Sequence, residues 1–142
     1  MKININPTNL SGYVNIKPEY DHMKNLDATV EDAEATEILC FEAIRRVPYT
    51  EIGNFLSHLV KMMRLNSKLV VHEIDSYEIS RQYFYGELNG DALNDTIYSN
   101  ELPVFSSIDM NSIASFLQEL GLVIVKKRIN GCFFTLEAVR NG

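Results

Sequence analysis

"KININPTNLSGYVNIK", residues 2–17, is the stretch whose reading decides the fold. Lys2–Ile5 and Tyr13–Ile16 have the β-branched, alternating character of strands. Lys17-Pro18 closes the second run, because the residue before a proline is pushed away from helical angles. The loop between them lies where nucleotide-binding folds place their glycines. Here it holds Asn6, Pro7, Thr8 and Asn9.

Outward from that stretch, short apolar runs alternate with helical patterns, which predicts an α/β layer fold. Residues 18–36 are polar and acidic, with one short strand expected at Met23–Leu26. "EILCF", residues 37–41, reads as a buried strand. Thr50–Leu65 predicts a helix, with Ile52, Phe55, Leu56, Leu59, Val60 and Met63 on one face. Thr50 is positioned to cap its start, Lys61 and Arg64 suit its end, and Asn66 is suited to stop it. "KLVVHEI", 68–74, is the next strand. Residues 76–106 predict a broken helix and a long loop, with "NGD" at 89–91 as a turn. Ser107 or Asp109 then caps a helix carrying Met110, Ile113, Ala114, Leu117 and Leu120 inward, ended by Gly121. Asn130-Gly131 between two β-rich runs predicts a closing hairpin.

The 142 residues fit one domain, 1–142, with a hydrophobic content of 46% and a charged content of 23%. A net charge of −6 argues against nucleic-acid binding, which needs a basic face. The short basic spots, including Arg45-Arg46, read as solvated surface. No apolar run reaches membrane-span length and no leader pattern opens the chain, so a cytoplasmic location is expected. Cys40 and Cys132 sit inside apolar segments and read as buried thiols. His22, His58 and His72 show no metal spacing.

The order of elements, with "KININPT" and "SGYVNIK" at its head, resembles a class I S-adenosylmethionine-dependent methyltransferase. The resemblance is to the compact group whose first two strands are joined by a short loop, beginning "K-L-N-I-G-C-G" and then "G-Y-I-N-I-D". "TEILCFEAIRRV" stands at that group's "D-E-I" to "H-V-L-E-H" segment, "KMMRLNSKL" at its "R-V-L-K-P-G-G-K-L", Ile74-Asp75 at its "P-D", Tyr85-Gly86 at its late "Y-G", and "FLQELGL" at its final helix. The resemblance implies a Rossmann-like fold: a mostly parallel central sheet, a C-terminal antiparallel hairpin, and truncated helices in the N-terminal half.

It also implies a S-adenosylmethionine site at Asn6, Thr8, Lys17, Asp27 and Phe41, with Asp32 as the rival to Asp27. Glu42, Arg46, Asp75 and Tyr85 would face substrate. No catalytic residue and no metal is assigned. The chain departs from the family at telling places. Pro7 lacks an N–H, and Asn6 and Thr8 bring side chains where bare backbone is wanted. Lys17 replaces the carboxylate that accepts from the ribose hydroxyls; an ammonium has no lone pair to offer, though Glu19 lies two residues on. Arg45 and Arg46 replace a Glu-His pair. Arg46 reads equally as an anion anchor or a surface cation.

Two functional readings follow. The first is a methyltransferase-like binding module with an eroded cofactor site, recognising a protein or small molecule and open to self-association, with Tyr77, Tyr83, Phe84, Tyr85 and Tyr98 as interface aromatics. The second is an active methyltransferase on a small-molecule or saccharide-type acceptor.

Overall fold

A computed structural model describes residues 1–141, apart from the side chain of Asp27. One sheet of six strands has the order β2-β1-β3-β4-β6-β5. The strands are β1 (Lys2–Ile5), β2 (Val14–Ile16), β3 (Ala35–Phe41), β4 (Met63–Ile74), β5 (Val123–Asn130) and β6 (Phe133–Val139). The first four run parallel, and β6 runs antiparallel to both β4 and β5. The expected mostly parallel sheet with a closing hairpin is therefore what the chain adopts.

The helices are α1 (Tyr20–Met23), α2 (Ile52–Met62), α3 (Ser76–Phe84), α4 (Gly90–Ile97) and α5 (Met110–Glu119). The main core joins one face of the sheet to the helices. Ile3, Ile5, Ile38, Cys40, Leu69 and Val71 come from strands; Met23, Leu56, Leu59, Ile113 and Leu117 come from α1, α2 and α5. Cys40 and Cys132 are both buried free thiols, as expected of their apolar surroundings. The opposite face is different. Leu39, Phe41, Val70, His72 and Thr135 alternate with the core residues and are only half-buried. Among the described residues the α3–α4 pair covers that side at one corner, packing Ile79, Leu93 and Ile97 against Ile74 and Phe133.

β1 and β2 are joined by only eight residues, 6–13. Parallel strands ordinarily need a dozen or more, with a helix between them. Asparagine side chains make the short crossing feasible. Asn4 Nδ2 donates to the Thr8 carbonyl (2.9 Å) and to Asn15 Oδ1 (2.8 Å). Asn15 Nδ2 donates to the Leu10 carbonyl (3.0 Å), and its Oδ1 accepts from the Leu10 amide (2.9 Å). The first helix of the fold is thus replaced by side-chain hydrogen bonds.

Several local expectations are corrected. Met23–Leu26 is not a strand: α1 ends at Met23 and a 3-10 turn covers Leu26–Ala28, because Met23, Leu26 and Val30 all reach down into the core. α2 stops at Met62 rather than Leu65, with Glu51 and not Thr50 at its start. Asn66 does take a left-handed φ of 66°, but inside β4, where residues 64–67 bulge out between the Ala35–Met63 and Glu37–Lys68 pairs. Arg140 Nη1 satisfies the helix end instead, donating to the carbonyls of Val60 (3.0 Å) and Met63 (2.6 Å). The broken helix expected after Ser76 is α3 and α4, longer than the loop that follows them, and Asn89 caps α4 by accepting from the Ala92 amide (2.8 Å). Of the two caps expected for α5, Asp109 is the one that forms. The hairpin turn is Gly131-Cys132, since Asn130 still pairs with Phe133; Gly131 supplies the φ of 63° that opens the turn. Among the described residues no helix is long and apolar enough to cross a membrane.

Candidate functional site

Asn6, Thr8, Lys17, Phe41, Glu42, Arg46 and Asp75 lie at or just beyond the C-terminal ends of β1–β4, where open α/β sheets bind ligands. The rim falls into two parts. Over β1 and β2 lies the neutral, asparagine-laced loop. Over β3 and β4 lies a buried ionic cluster.

In the loop, the amides of Asn6, Thr8 and Leu10 are already paired. The Asn6 amide donates to the Ile16 carbonyl (3.3 Å), Pro7 has none, the Thr8 amide donates to Asn6 Oδ1 (3.0 Å), and the Leu10 amide to Asn15 Oδ1. Asn6 is half-buried and Thr8 exposed. Asn4 Oδ1 is buried without a protein partner beneath them. Lys17 is exposed and its Nζ lies 3.3 Å from Glu19 Oε2, so the compensating carboxylate is paired with the very lysine it would replace. The Asp27 side chain lies outside the described residues.

Phe41 ends β3, half-buried, its ring 5.2 Å from His72. His72 stacks in turn on Phe133 at 5.0 Å and meets Thr135 Oγ1 through Nδ1 at 2.9 Å. Burial lowers its pKa below the usual histidine value, with Arg45 adding to the effect and Glu42 and Glu73 opposing it.

Beyond Phe41 the chain turns sharply at Glu42, whose φ is 55°. The turn throws Arg45 and Arg46 inward. Both are buried, which overturns their reading as solvated surface. Arg45 Nη1 donates to Glu73 Oε2 at 2.6 Å, and its Nη2 donates to Glu42 Oε1 (3.1 Å) and Ser99 Oγ (2.6 Å). Glu73 also accepts from the amides of Arg45 (3.0 Å) and Ile74 (2.8 Å). Arg46 donates through Nε to the Glu42 carbonyl (3.2 Å), through Nη1 to Leu102 (2.6 Å), and through Nη2 to Ser99 (2.9 Å). All three guanidinium nitrogens of Arg46 are therefore engaged with backbone. Burial, followed by the neighbouring Arg45, holds its pKa below the ordinary arginine value. The two arginines hold residues 99–106 over the sheet, an attachment completed by the Phe105 and Ser106 amides donating to the Arg45 carbonyl.

Asp75 is buried after β4 and accepts from the Met110 amide at 3.4 Å. Burial raises its pKa above the usual carboxylate value, while amide hydrogen bonds from Met110 and Tyr77 oppose the rise. It opens onto a cleft of about 590 Å³ lined also by Ser76, Tyr77, Ser80, Asp109 and Asn111. Tyr85 lies apart at the end of α3, 68% exposed, edge-on to Phe84. The structure thus brings Glu42 and Arg46 together, leaves Asp75 in a separate cleft, and leaves Tyr85 on the surface. Among the described residues no group of His, Cys, Asp and Glu is arranged to hold a metal ion.

Sequence reasoning missed Glu73 and Ser99. Glu73 carried a signal: it follows Leu69 and Val71 in the core-facing register of β4, a place where a charge demands a buried partner. Ser99 carried none.

No family model and no curated relative matches this sequence. Its fold does match solved structures. A SAM-dependent methyltransferase from Methanosarcina mazei is similar over 99% of this chain and 92% of its own, at 9% identity and a TM-score of 0.64. An O-methyltransferase family protein from Burkholderia thailandensis matches 92% of this chain at 12% identity and a TM-score of 0.59. The 1,6-didemethyltoxoflavin-N1-methyltransferase of the same organism, solved with S-adenosylhomocysteine, matches 78% at 10% identity and a TM-score of 0.53. The chain spans 36% and 46% of those two Burkholderia proteins. The fold is that of the class I S-adenosylmethionine-dependent methyltransferases.

Proposed function

We propose that this methyltransferase-fold chain has an eroded cofactor site and acts as a binding module, with little or no catalysis. The observation that carries the reading is the pairing at residues 6–17. S-adenosylmethionine, when bound, supplies an activated methyl group on a sulfonium. Its amino-acid moiety needs free donors at the first turn, and its ribose needs an acceptor after the second strand. Asn6, Thr8 and Leu10 direct their amides to the protein itself, Pro7 has none, and position 17 presents an ammonium already paired with Glu19. We derive no chemical step through a cofactor these residues do not fit.

A thermal melt tests the proposal. A ligand that binds only the native state at 100 times its Kd stabilises by about 2.7 kcal/mol, a shift of several degrees. Millimolar S-adenosylmethionine or S-adenosylhomocysteine should leave the melting temperature unchanged. The triple variant Asn6→Gly, Thr8→Gly, Lys17→Asp should gain a shift. If the unaltered chain already responds strongly, the erosion reading is discarded.

One observation favours the rival, an active enzyme on a small or saccharide-type acceptor. The Asp75 cleft combines a buried carboxyl, the Ser80 hydroxyl and the Tyr77 ring, groups suited to a polyol. That reading requires the unaltered chain to bind the cofactor, so the same melt decides between the two.

A further inference from the structure

The half-buried face of the sheet has a second property besides its missing helices. Strand pairing sets Lys2 beside Glu37 and Glu37 beside Lys68; farther along, Lys126 pairs with Glu137 and Arg128 with Thr135 on the same side. Among the strand residues of this face, four cations therefore stand with two carboxylates, an excess of two positive charges on a chain whose net charge is −6. Between them lie Leu39, Phe41, Val70 and His72, which form a continuous strip across β3 and β4 through the Leu39–Val70 and Phe41–His72 pairs. Leu39, Phe41 and Val70 belong to neither buried cluster. The strip has natural ends. Tyr13, its ring under Lys2 at 5.6 Å, closes one, and the α3–α4 corner at Phe133 closes the other.

We propose that this face docks an acidic amphipathic helix of a partner protein, laid along the strands with its apolar stripe on Leu39, Val70 and Phe41. The inference goes beyond the reading above and holds whether or not the cofactor binds. Helices pack onto sheets through one apolar stripe. The span from Glu37 to Phe41 is about 13 Å at a strand rise of about 3.3 Å per residue, the length of about nine helical residues. Carboxylates flanking the stripe would meet Lys2 of β1 on one side and Lys126 with Arg128 of β5 on the other, with Lys68 at the strip's entry. Glu137 lies among these cations, 3.7 Å from Lys68 and 3.9 Å from Lys126, and offsets only part of their charge. A second copy of this chain docking face to face would set one positive excess against another. Charge therefore selects an acidic partner over self-association through this surface.

The test uses the full chain and two labelled peptides of about 14 residues, a length that covers the strip with a turn to spare. One has leucines at i, i+3, i+4 and i+7 flanked by glutamates; its twin has lysines in place of the glutamates. Fluorescence anisotropy should show saturable binding of the acidic peptide and at least tenfold weaker binding of the twin. Lys126→Glu with Arg128→Glu, both at exposed positions that leave the core intact, should weaken the acidic peptide about tenfold and flatten its salt dependence. Val70→Lys should abolish binding, with its melting curve confirming a folded chain. Equal affinity for both peptides, no binding of either, or indifference to the charge reversal would overturn the proposal. So would a dimer in sedimentation that Val70→Lys dissolves. None of these outcomes depends on the cofactor melt.

Discussion

The two halves of the sheet's C-terminal rim solve one problem by different chemistry. Over β1 and β2, neutral asparagines hydrogen-bond to the loop they support. Over β3 and β4, two buried arginines and two carboxylates hold residues 99–106 in place. In both halves most of the polar groups at a position suited to ligand binding satisfy one another, leaving one buried atom unpaired in each, Asn4 Oδ1 and Arg45 Nε. The difference lies in cost and consequence. Neutral amide hydrogen bonds are each worth about 1 kcal/mol net, so the loop is held by many weak ties. A buried ion pair carries a large desolvation penalty and becomes strongly destabilising when one member is removed.

The contrast is broken most sharply at the ionic half. Arg45→Ala would strand Glu73, which is 1% exposed, without its cation, and should lower stability by about 3–5 kcal/mol in urea unfolding. The double variant Arg45→Met, Glu73→Leu should recover much of that loss, because apolar substitutes of similar volume remove both charges together. A double variant as unstable as the single one would mean that the ion pair is not the source of the effect.

The neutral half should yield less. Asn15→Ala removes the side chain that bonds Asn4 and both backbone groups of Leu10, at a cost of about 1–3 kcal/mol. Hydrogen exchange should show residues 6–13 opening while α2 stays protected. If α2 opens equally, the loop is not a separable unit.

The smallest expected effect lies between the halves, at His72. Its pKa is lower in the folded chain than the usual 6.5, so the unfolded chain takes up its proton first on acidification. Stability should therefore fall as pH drops below about 6.5, and level off once the folded-state pKa is passed. His72→Gln should flatten that part of the melting-temperature profile, and an unchanged profile would assign the slope to other groups.

The fold was legible where periodicity meets burial. The inward residues of α2 and α5 and the existence of β3, β4 and the closing hairpin all follow from apolar spacing. The family resemblance also implied that the N-terminal helices would be cut short. What it concealed was the fate of polar side chains. Arg45-Arg46 looked like surface because a charged pair usually is; a left-handed Glu42 turns both inward, and nothing local announces that turn. The lacing of Asn4 and Asn15 was equally hidden, since it depends on the register between two strands. Tyr85 was expected near substrate from its place in a family pattern, yet it sits at an exposed helix end. The site is less legible than the fold because it depends on which polar groups meet, and apolar spacing is silent on that.

The central claim is that the amides of Asn6, Thr8 and Leu10 and the ammonium of Lys17 are engaged with the protein and hold no adenosyl cofactor. Backbone NMR of the labelled chain, titrated with S-adenosylhomocysteine to millimolar concentration, tests it directly. The account predicts no saturable shift at Asn6, Thr8, Leu10 or Lys17. Saturable shifts clustered at those amides would contradict it.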